Sequence, residues 1–209
     1  MSASIDQRDV MRLEQCLAAG GVAVFPADTV YGVCCDPDNE DAANRLYELK
    51  GRPAARPAAI MYFALQPAIA DIPELLDLER AALHALLPGP VTLLLENRVL
   101  RFKPACRTDP ATLGLRVPRL PEQLEALSSL RRPVMQSSAN LSGQPDARSL
   151  AEVPDSILDG ADLVLDGGQL PGVPSTVIDL REYNQLRRWH VLREGAFSAA
   201  AVQRMLAPE

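Results

Sequence analysis

The sequence predicts an α/β fold built on a mixed parallel and antiparallel sheet, and three observations carry that expectation. Short apolar runs of strand length interleave with helical patterns, but without the strict alternation of a wholly parallel sheet. Several strand-like runs follow one another late in the chain, as antiparallel neighbours do. Apolar residues make up 47% of the 209 residues, enough for one large core, so a single domain over 1–209 is expected.

The elements follow from periodicity and punctuation. Residues 6–19 place Val10, Leu13 and Leu17 at helical spacing, and Gly20-Gly21 ends the pattern. Val22 to Phe25 reads as a buried strand closed by Pro26. A second helix is expected from about 40 to 50, capped by Asn39 or Asp38, with Ala43, Leu46 and Leu49 inward. Residues 58–63 form another buried strand. Residues 77–87 form a helix with Leu78, Ala81, Ala82, Ala85 and Leu86 as its apolar stripe, ended by Pro88-Gly89-Pro90. Further strands are expected at 91–95, 113–117, 134–137, 163–165, 176–180 and 186–192, and helices near 122–130 and 199–206. The 18 prolines are spread through loops and mark no boundary between domains.

Composition excludes several function classes. Charged residues at 23% are ordinary for a soluble globular chain and rule out a disordered polymer. The longest uncharged apolar run, 58–65, is eight residues, too short to cross a bilayer. The start Met1-Ser-Ala-Ser-Ile-Asp6 lacks a basic-then-apolar leader, so a cytoplasmic protein without a membrane partner is expected. With 21 basic and 27 acidic residues, the net charge of −6 argues against indiscriminate nucleic-acid binding. The charge is uneven, however. Residues 98–119 hold six basic residues and one acid, a candidate anion site, while 152–166 hold five acids and no base. Cys16, Cys34, Cys35 and Cys106 show no C-x-x-C spacing, and only His84 and His190 are available as imidazole ligands. Buried reduced thiols are therefore expected rather than a zinc site or a disulfide framework. Both histidines read as structural.

The standard nucleotide cradles are absent: there is no G-x-x-x-x-G-K-[ST] and no G-x-G-x-x-G. Four other segments draw notice. Pro26-Ala-Asp-Thr-Val-Tyr-Gly32 follows a strand, where open α/β sheets bind ligands, and offers the hydroxyls of Thr29 and Tyr31. Asp28 there reads as a turn cap. Lys50-Gly-Arg-Pro-Ala-Ala-Arg-Pro57 carries Lys50, Arg52 and Arg56 with no acid. Each arginine precedes a proline that stiffens its backbone, a composition suited to a polyphosphate. Gln136-Ser-Ser-Ala-Asn-Leu-Ser-Gly143 again follows a strand, and Pro174-Ser-Thr-Val-Ile-Asp179 leads into one. Along 112–118, alternation puts Thr112, Gly114 and Arg116 on one face of a strand.

These segments occur in one order with Pro88-Gly-Pro-Val-Thr92, Leu115-Arg-Val-Pro118 and Leu192-Arg-Glu-Gly195, and together they closely resemble the YrdC/YciO family over about 19–197. The resemblance implies an open, twisted sheet flanked by helices, with a concave, positively charged ligand cavity. It implies a nucleotidyltransferase joining L-threonine, bicarbonate and ATP into threonylcarbamoyl-adenylate, with Mg2+ arriving on the ATP. A downstream threonylcarbamoyl-transfer complex then serves tRNA. Threonine would be held by Thr29, Arg116, Ser138 and Ser175, with Tyr31 beside them. ATP would be held by Lys50, Arg52 and Asn140, with Arg56, Thr112, Arg148 and Arg193 at further nucleotide-contacting positions. Two departures stand out: Met61 replaces a histidine that some members use toward threonine, and Ala27 replaces the commoner threonine. The chain resembles the short form without an added C-terminal domain. The rival expectations are a non-catalytic module of the same fold that binds tRNA or double-stranded RNA or serves ribosome assembly, and a carbamoyl transferase like that of larger relatives.

Overall fold

The computed structural model describes residues 3–51 and 57–207. Helix α1 (Gln7–Ala18) starts on Asp6, whose carboxylate accepts from the Arg8 and Asp9 amides at 2.8 and 3.0 Å. Gly20, at φ 77°, takes the left-handed position that ends it. Strands β1 (Ala23–Pro26) and β2 (Tyr31–Cys35) form a hairpin in which Phe25 opposes Gly32. Helix α2 (Glu40–Leu49) is capped by Asn39, which accepts from the Ala42 amide at 2.9 Å.

Next come β3 (Ala59–Met61), α3 (Leu65–Asp71), α4 (Asp77–Leu86) and β4 (Val91–Glu96). The single turn α5 (Lys103–Cys106) leads to β5 (Thr112–Arg116), and tight 3-10 turns over Glu122–Ser129 lead to β6 (Val134–Ser138). The chain continues through α6 (Asp155–Gly160), β7 (Leu163–Val164) and β8 (Thr176–Asp179). It closes with α7 (Tyr183–Leu186), β9 (His190–Arg193) and α8 (Ala199–Met205).

The strands make one mixed sheet in the order β7-β1-β2-β6-β3-β5-β4-β8-β9. Parallel pairs are β1/β7, β3/β5 and β4/β8, and the remaining neighbours run antiparallel. Alternation along the central strands separates two faces. Leu93 and Leu95 of β4, Leu113 and Leu115 of β5, Ile60 of β3 and Met135 of β6 enter the core. The intervening residues, Leu94, Thr112, Gly114, Arg116, Ala59 and Gln136, turn to a cavity on the other face.

Several boundaries differ from the sequence expectation for local reasons. Strand β2 went unexpected because all five of its residues are buried, which removes the alternation that marks a half-exposed strand. Residues 186–192 are not one strand: Tyr183–Leu186 forms a helical turn, Arg187 takes φ 50°, and pairing begins at His190. Residues 122–130 wind as 3-10 turns rather than an α-helix. Cys34, Cys35 and Cys106 are buried free thiols and Cys16 is half-buried; burial pushes the Cys35 thiol up to about 12. No helix among the described residues is long and apolar enough to cross a membrane.

The basic run at 98–119 does not gather into one anion site: most of its arginines are paired elsewhere and only Arg116 among them lines the cavity. Arg98 pairs with Glu79 and Glu96 at 2.9 Å each, and Arg101 with Glu74 at 2.8 Å. Arg107 donates to Asn44 at 2.7 Å and lies over the Tyr47 ring at 4.2 Å, while Arg119 donates to the Pro88 carbonyl at 3.0 Å. Arg116 alone among these arginines reaches the cavity. The Glu79 carboxylate is fully buried and also accepts from the Leu76 amide at 2.9 Å, so it anchors the start of α4 as well as Arg98. Glu79→Ala is expected to cost about 2–3 kcal/mol, because it removes the buried partner of Arg98, leaving it the half-exposed Glu96, and the acceptor of the Leu76 amide. Glu152→Ala, at an exposed pair with Arg148, is expected to cost less than about 1 kcal/mol. Urea denaturation of both variants checks the contrast, and equal losses would contradict it.

Candidate functional site

A cavity of about 300 Å3 opens over the middle of the sheet. Its floor is a cross-strand row, Gln136–Ala59–Gly114–Leu94, fixed by the registers of β6, β3, β5 and β4. Two of those four residues have almost no side chain, so a ligand can approach the backbone closely. A Cβ at Gly114 would meet nothing nearer than 3.4 Å, so the space above this strand is open by composition rather than by strain. Val177 and Pro57 add apolar wall, and Thr92, Ser137, Ser138 and Ser175 add hydroxyls. Among the described residues, the charged lining is Arg116 and Arg193 together with Asp109 and Asp146.

Arg116 is the dominant polar group. Its side chain is 4% exposed and pairs with Asp28, itself 3% exposed, through NH2 to Oδ1 at 2.7 Å. The same nitrogen lies 3.4 Å from Thr29 Oγ1, and Asp28 Oδ2 accepts from the Arg119 amide at 3.3 Å. Arg116 Nε is buried and has no hydrogen-bond partner. Burial pushes the Asp28 carboxyl up, against the pull of Arg116. Burial likewise lowers the Arg116 guanidinium, which Asp28 supports and nearby Arg193 opposes. A guanidinium is not deprotonated in proteins, so Arg116 keeps its charge in this buried setting. An orphan N–H in a cavity wall is costly unless a ligand supplies the acceptor.

The opposite wall is held by β8 and β9. Ser175 Oγ lies 2.8 Å from Thr92 Oγ1, and Arg193 donates to the Ser175 carbonyl at 2.8 Å and to its hydroxyl at 3.3 Å. Thr176 Oγ1 accepts from the Gly195 and Phe197 amides at 2.9 and 3.0 Å, which folds the chain after β9 back over β8. Gly195 has to be glycine there: a Cβ would overlap the Pro174 carbonyl and Ser175 backbone. Thr112, on the cavity face of β5, accepts from Arg181 at 3.0 Å.

The structure therefore brings five of the sequence-assigned residues, Thr112, Arg116, Ser138, Ser175 and Arg193, into one lining. Arg52 and Arg56 lie outside the described residues, although Pro57, next in sequence, is part of the cavity wall. Lys50 and Asn140 sit behind the lining. The Lys50 ammonium donates to the Ser138 carbonyl, to the Asn140 carbonyl at 2.7 Å and to Asn140 Oδ1 at 3.1 Å. Ser138 Oγ donates to the same Oδ1 at 2.6 Å, and the Lys50 carbonyl accepts from the Ser142 amide at 3.0 Å. Lys50 thus fastens the end of α2 to the loop that presents Ser138. Thr29 backs Arg116 without lining the cavity.

Two residues go elsewhere. Tyr31 lies in β2, and its hydroxyl accepts from the Gly167 amide at 3.0 Å and meets Asp166 and the Gly168 carbonyl at 3.0 and 2.8 Å. It orders the 166–168 turn and does not face the cavity. The exposed Arg148 pairs with Glu152 at 2.9 Å, outside the lining. Met61 is fully buried opposite Arg116 in the β3/β5 register. The sequence reading missed Asp109 and Asp146, which carry no motif signal. It also took Asp28 for a turn cap, since its partner is 88 residues away. Among the described residues, no three His, Cys, Asp or Glu side chains gather as a metal site.

Lys50→Met removes the donor that ties down two loop carbonyls. Amide hydrogen exchange across 138–144 is expected to accelerate, with stability falling by about 1–3 kcal/mol. Unchanged exchange in that loop would show that Lys50 does not fasten it.

Comparison with known proteins supplies the lineage. The Sua5/YciO/YrdC family, described as Telomere recombination, matches residues 15–195. A threonylcarbamoyl-AMP synthase of Pyrococcus abyssi is 32% identical over 192 residues, covering 90% of this chain and 54% of that protein. One from Chromohalobacter salexigens is 33% identical over 177 residues, covering 82% of this chain and 92% of its own. The chain thus spans about half the length of the archaeal relative and nearly all of the bacterial one. The crystal structure of P. abyssi Sua5 complexed with L-threonine superposes with a TM-score of 0.83 at 27% identity, over 96% of this chain and 58% of the other. With its ordered motifs, its mixed nine-stranded sheet and a match over residues 15–195, the chain belongs to the Sua5/YciO/YrdC family.

Proposed function

We propose that the cavity makes threonylcarbamoyl-AMP and pyrophosphate from L-threonine, bicarbonate and ATP, for the threonylcarbamoyl modification of tRNA. The observation that carries this reading is Arg116, a buried guanidinium in the cavity wall with an unpartnered Nε. Such a group selects a carboxylate, which supplies acceptor oxygens and the compensating charge. Ser138 and Ser175 belong to the same lining, and their hydroxyls are available for the polar side chain of the amino acid. A relative carrying the synthase name matches along nearly its whole length, which supports the same chemistry here.

The nucleotide occupies the remaining floor. Ala59, Gly114, Leu94 and Val177 offer a flat, largely apolar surface for a base or ribose. Arg193, with Arg52 and Arg56 from the segment that leads to Pro57, supplies cations for the phosphates. Lys50 and Asn140 act behind them by holding the Ser138 loop. Mg2+ enters as part of the ATP and keeps much of its water, so the chain does not need a dedicated cage of carboxylates. Asp109 and Asp146 at the lining are the acids available to meet its hydration shell.

The chemistry requires positioning more than an activated side chain. The threonine amine adds to CO2 drawn from bicarbonate and loses a proton, giving a carbamate. A carbamate oxygen attacks the α-phosphorus of ATP, the bond from that phosphorus to the bridging oxygen breaks, and pyrophosphate leaves with the electron pair. Nucleotidyl transfers of this kind depend on in-line geometry and on cations that meet the growing charge. Fixing the threonine carboxylate on Arg116 leaves its amine free to point at the nucleotide. The product passes to a downstream complex that transfers the threonylcarbamoyl group to tRNA.

The test is pyrophosphate release from ATP and bicarbonate with and without L-threonine, with prompt mass determination of the adenylate. Threonine-dependent release with the threonylcarbamoyl-AMP mass is expected, and release indifferent to threonine would overturn the reading. Arg116→Ala is expected to raise the threonine KM by roughly 30–100-fold, about 2–3 kcal/mol, with little change in the ATP KM. Equal shifts in both constants would remove Arg116 from the amino-acid site.

A further inference from the structure

We infer that Asp28 is the positioning residue for amino-acid recognition: its carboxylate holds one end of the Arg116 guanidinium through NH2 alone, so that the guanidinium stays fixed at the cavity wall for the substrate carboxylate. This inference rests on the proposed function and adds a residue that touches no substrate.

The geometry supports it from three directions. Asp28 meets Arg116 through a single nitrogen, NH2, at 2.7 Å, rather than by the two-pronged contact that would use up the guanidinium. That nitrogen is also the one nearest Thr29 Oγ1, at 3.4 Å, so the contacts made by the β1–β2 turn converge on one corner of the fork. Asp28 is itself fixed from behind, where its second oxygen accepts from the Arg119 amide at 3.3 Å. The Asp28 carboxylate does not line the cavity, whereas Arg116 does.

Packing explains why such a strut is needed. Arg116 ends β5 with the apolar Met61 opposite it in β3, while on the β4 side the Thr92 hydroxyl is engaged with Ser175 at 2.8 Å. Arg193 lies close enough for its charge to act on Arg116, and repulsion between the two guanidiniums favours swinging Arg116 away. A long arginine side chain held by nothing would lose rotamer entropy each time a ligand ordered it. With Asp28 in place that cost is met on folding, so the binding of the carboxylate does not bear it.

The experiment separates position from charge. Asp28→Asn keeps an acceptor oxygen at the same reach without the charge, and Asp28→Glu keeps the charge but displaces it by one methylene. Steady-state pyrophosphate release is measured for wild type and both variants, varying L-threonine and ATP separately. Positioning predicts that Asp28→Asn stays within roughly threefold of the wild-type threonine KM. Asp28→Glu is predicted to raise it by roughly tenfold or more, with the ATP KM and kcat of both close to wild type. Thermal melting of each variant confirms that folded protein is compared. The reverse order, with Asn impaired and Glu normal, would overturn positioning in favour of a purely electrostatic role. Parallel loss of kcat with no change in either KM would assign Asp28 to the fold alone. A wild-type protein that releases no pyrophosphate with threonine would instead sink the underlying function.

Discussion

The cavity depends on one buried ion pair. Arg116 is drawn out of water at the end of a central strand, and the hairpin turn between β1 and β2 supplies the anion that meets it, Asp28. In sheet order, β1 and β5 are separated by β2, β6 and β3. The Asp28–Arg116 contact therefore ties the β1–β2 turn to a strand four places along the sheet, and it holds Arg116 at the cavity wall. Breaking such a pair is costly because the remaining charge has no water to turn to. This explains why two residues 88 positions apart constrain the local geometry more than any neighbour in sequence.

A second constraint comes from what the sheet omits. Alternate residues of the central strands carry the core on one side and leave Ala59, Gly114 and Thr112 on the other, where bulk would close the cavity. The loops then close the rim by hydrogen bonds between polar side chains and backbone. Lys50 secures the Ser138–Asn140 turn, Arg193 secures Ser175, and Thr176 gathers the chain after β9. Pre-ordering of this kind suits a reaction in which three reactants must meet in line.

Much of the fold could be read from the sequence, because strand-length apolar runs and helix punctuation report directly on local backbone preference. Gly20 and Asn39 mark their helix ends as expected. Strand β2 could not be read that way, since burial on both faces erases the period of two. The cavity lining was legible where ordered motifs carried it, as with Arg116, Ser138, Ser175 and Arg193. What could not be read was pairing. The basic run at 98–119 suggests an anion site in one dimension, yet Arg98 and Arg101 are matched in space by Glu79, Glu96 and Glu74. Tyr31 and Asp28 failed for the same reason, because the partners that decide their roles lie more than 80 residues away.

The central claim is that Arg116 is kept short of one acceptor so that the amino acid's carboxylate supplies it. Isothermal titration of L-threonine and of L-threoninol, which replaces that carboxylate by a hydroxymethyl group, tests this most directly. The account predicts that threonine binds while threoninol binds at least roughly 100-fold more weakly, as expected for loss of a buried charge-assisted contact. Comparable affinity for the two ligands would contradict it.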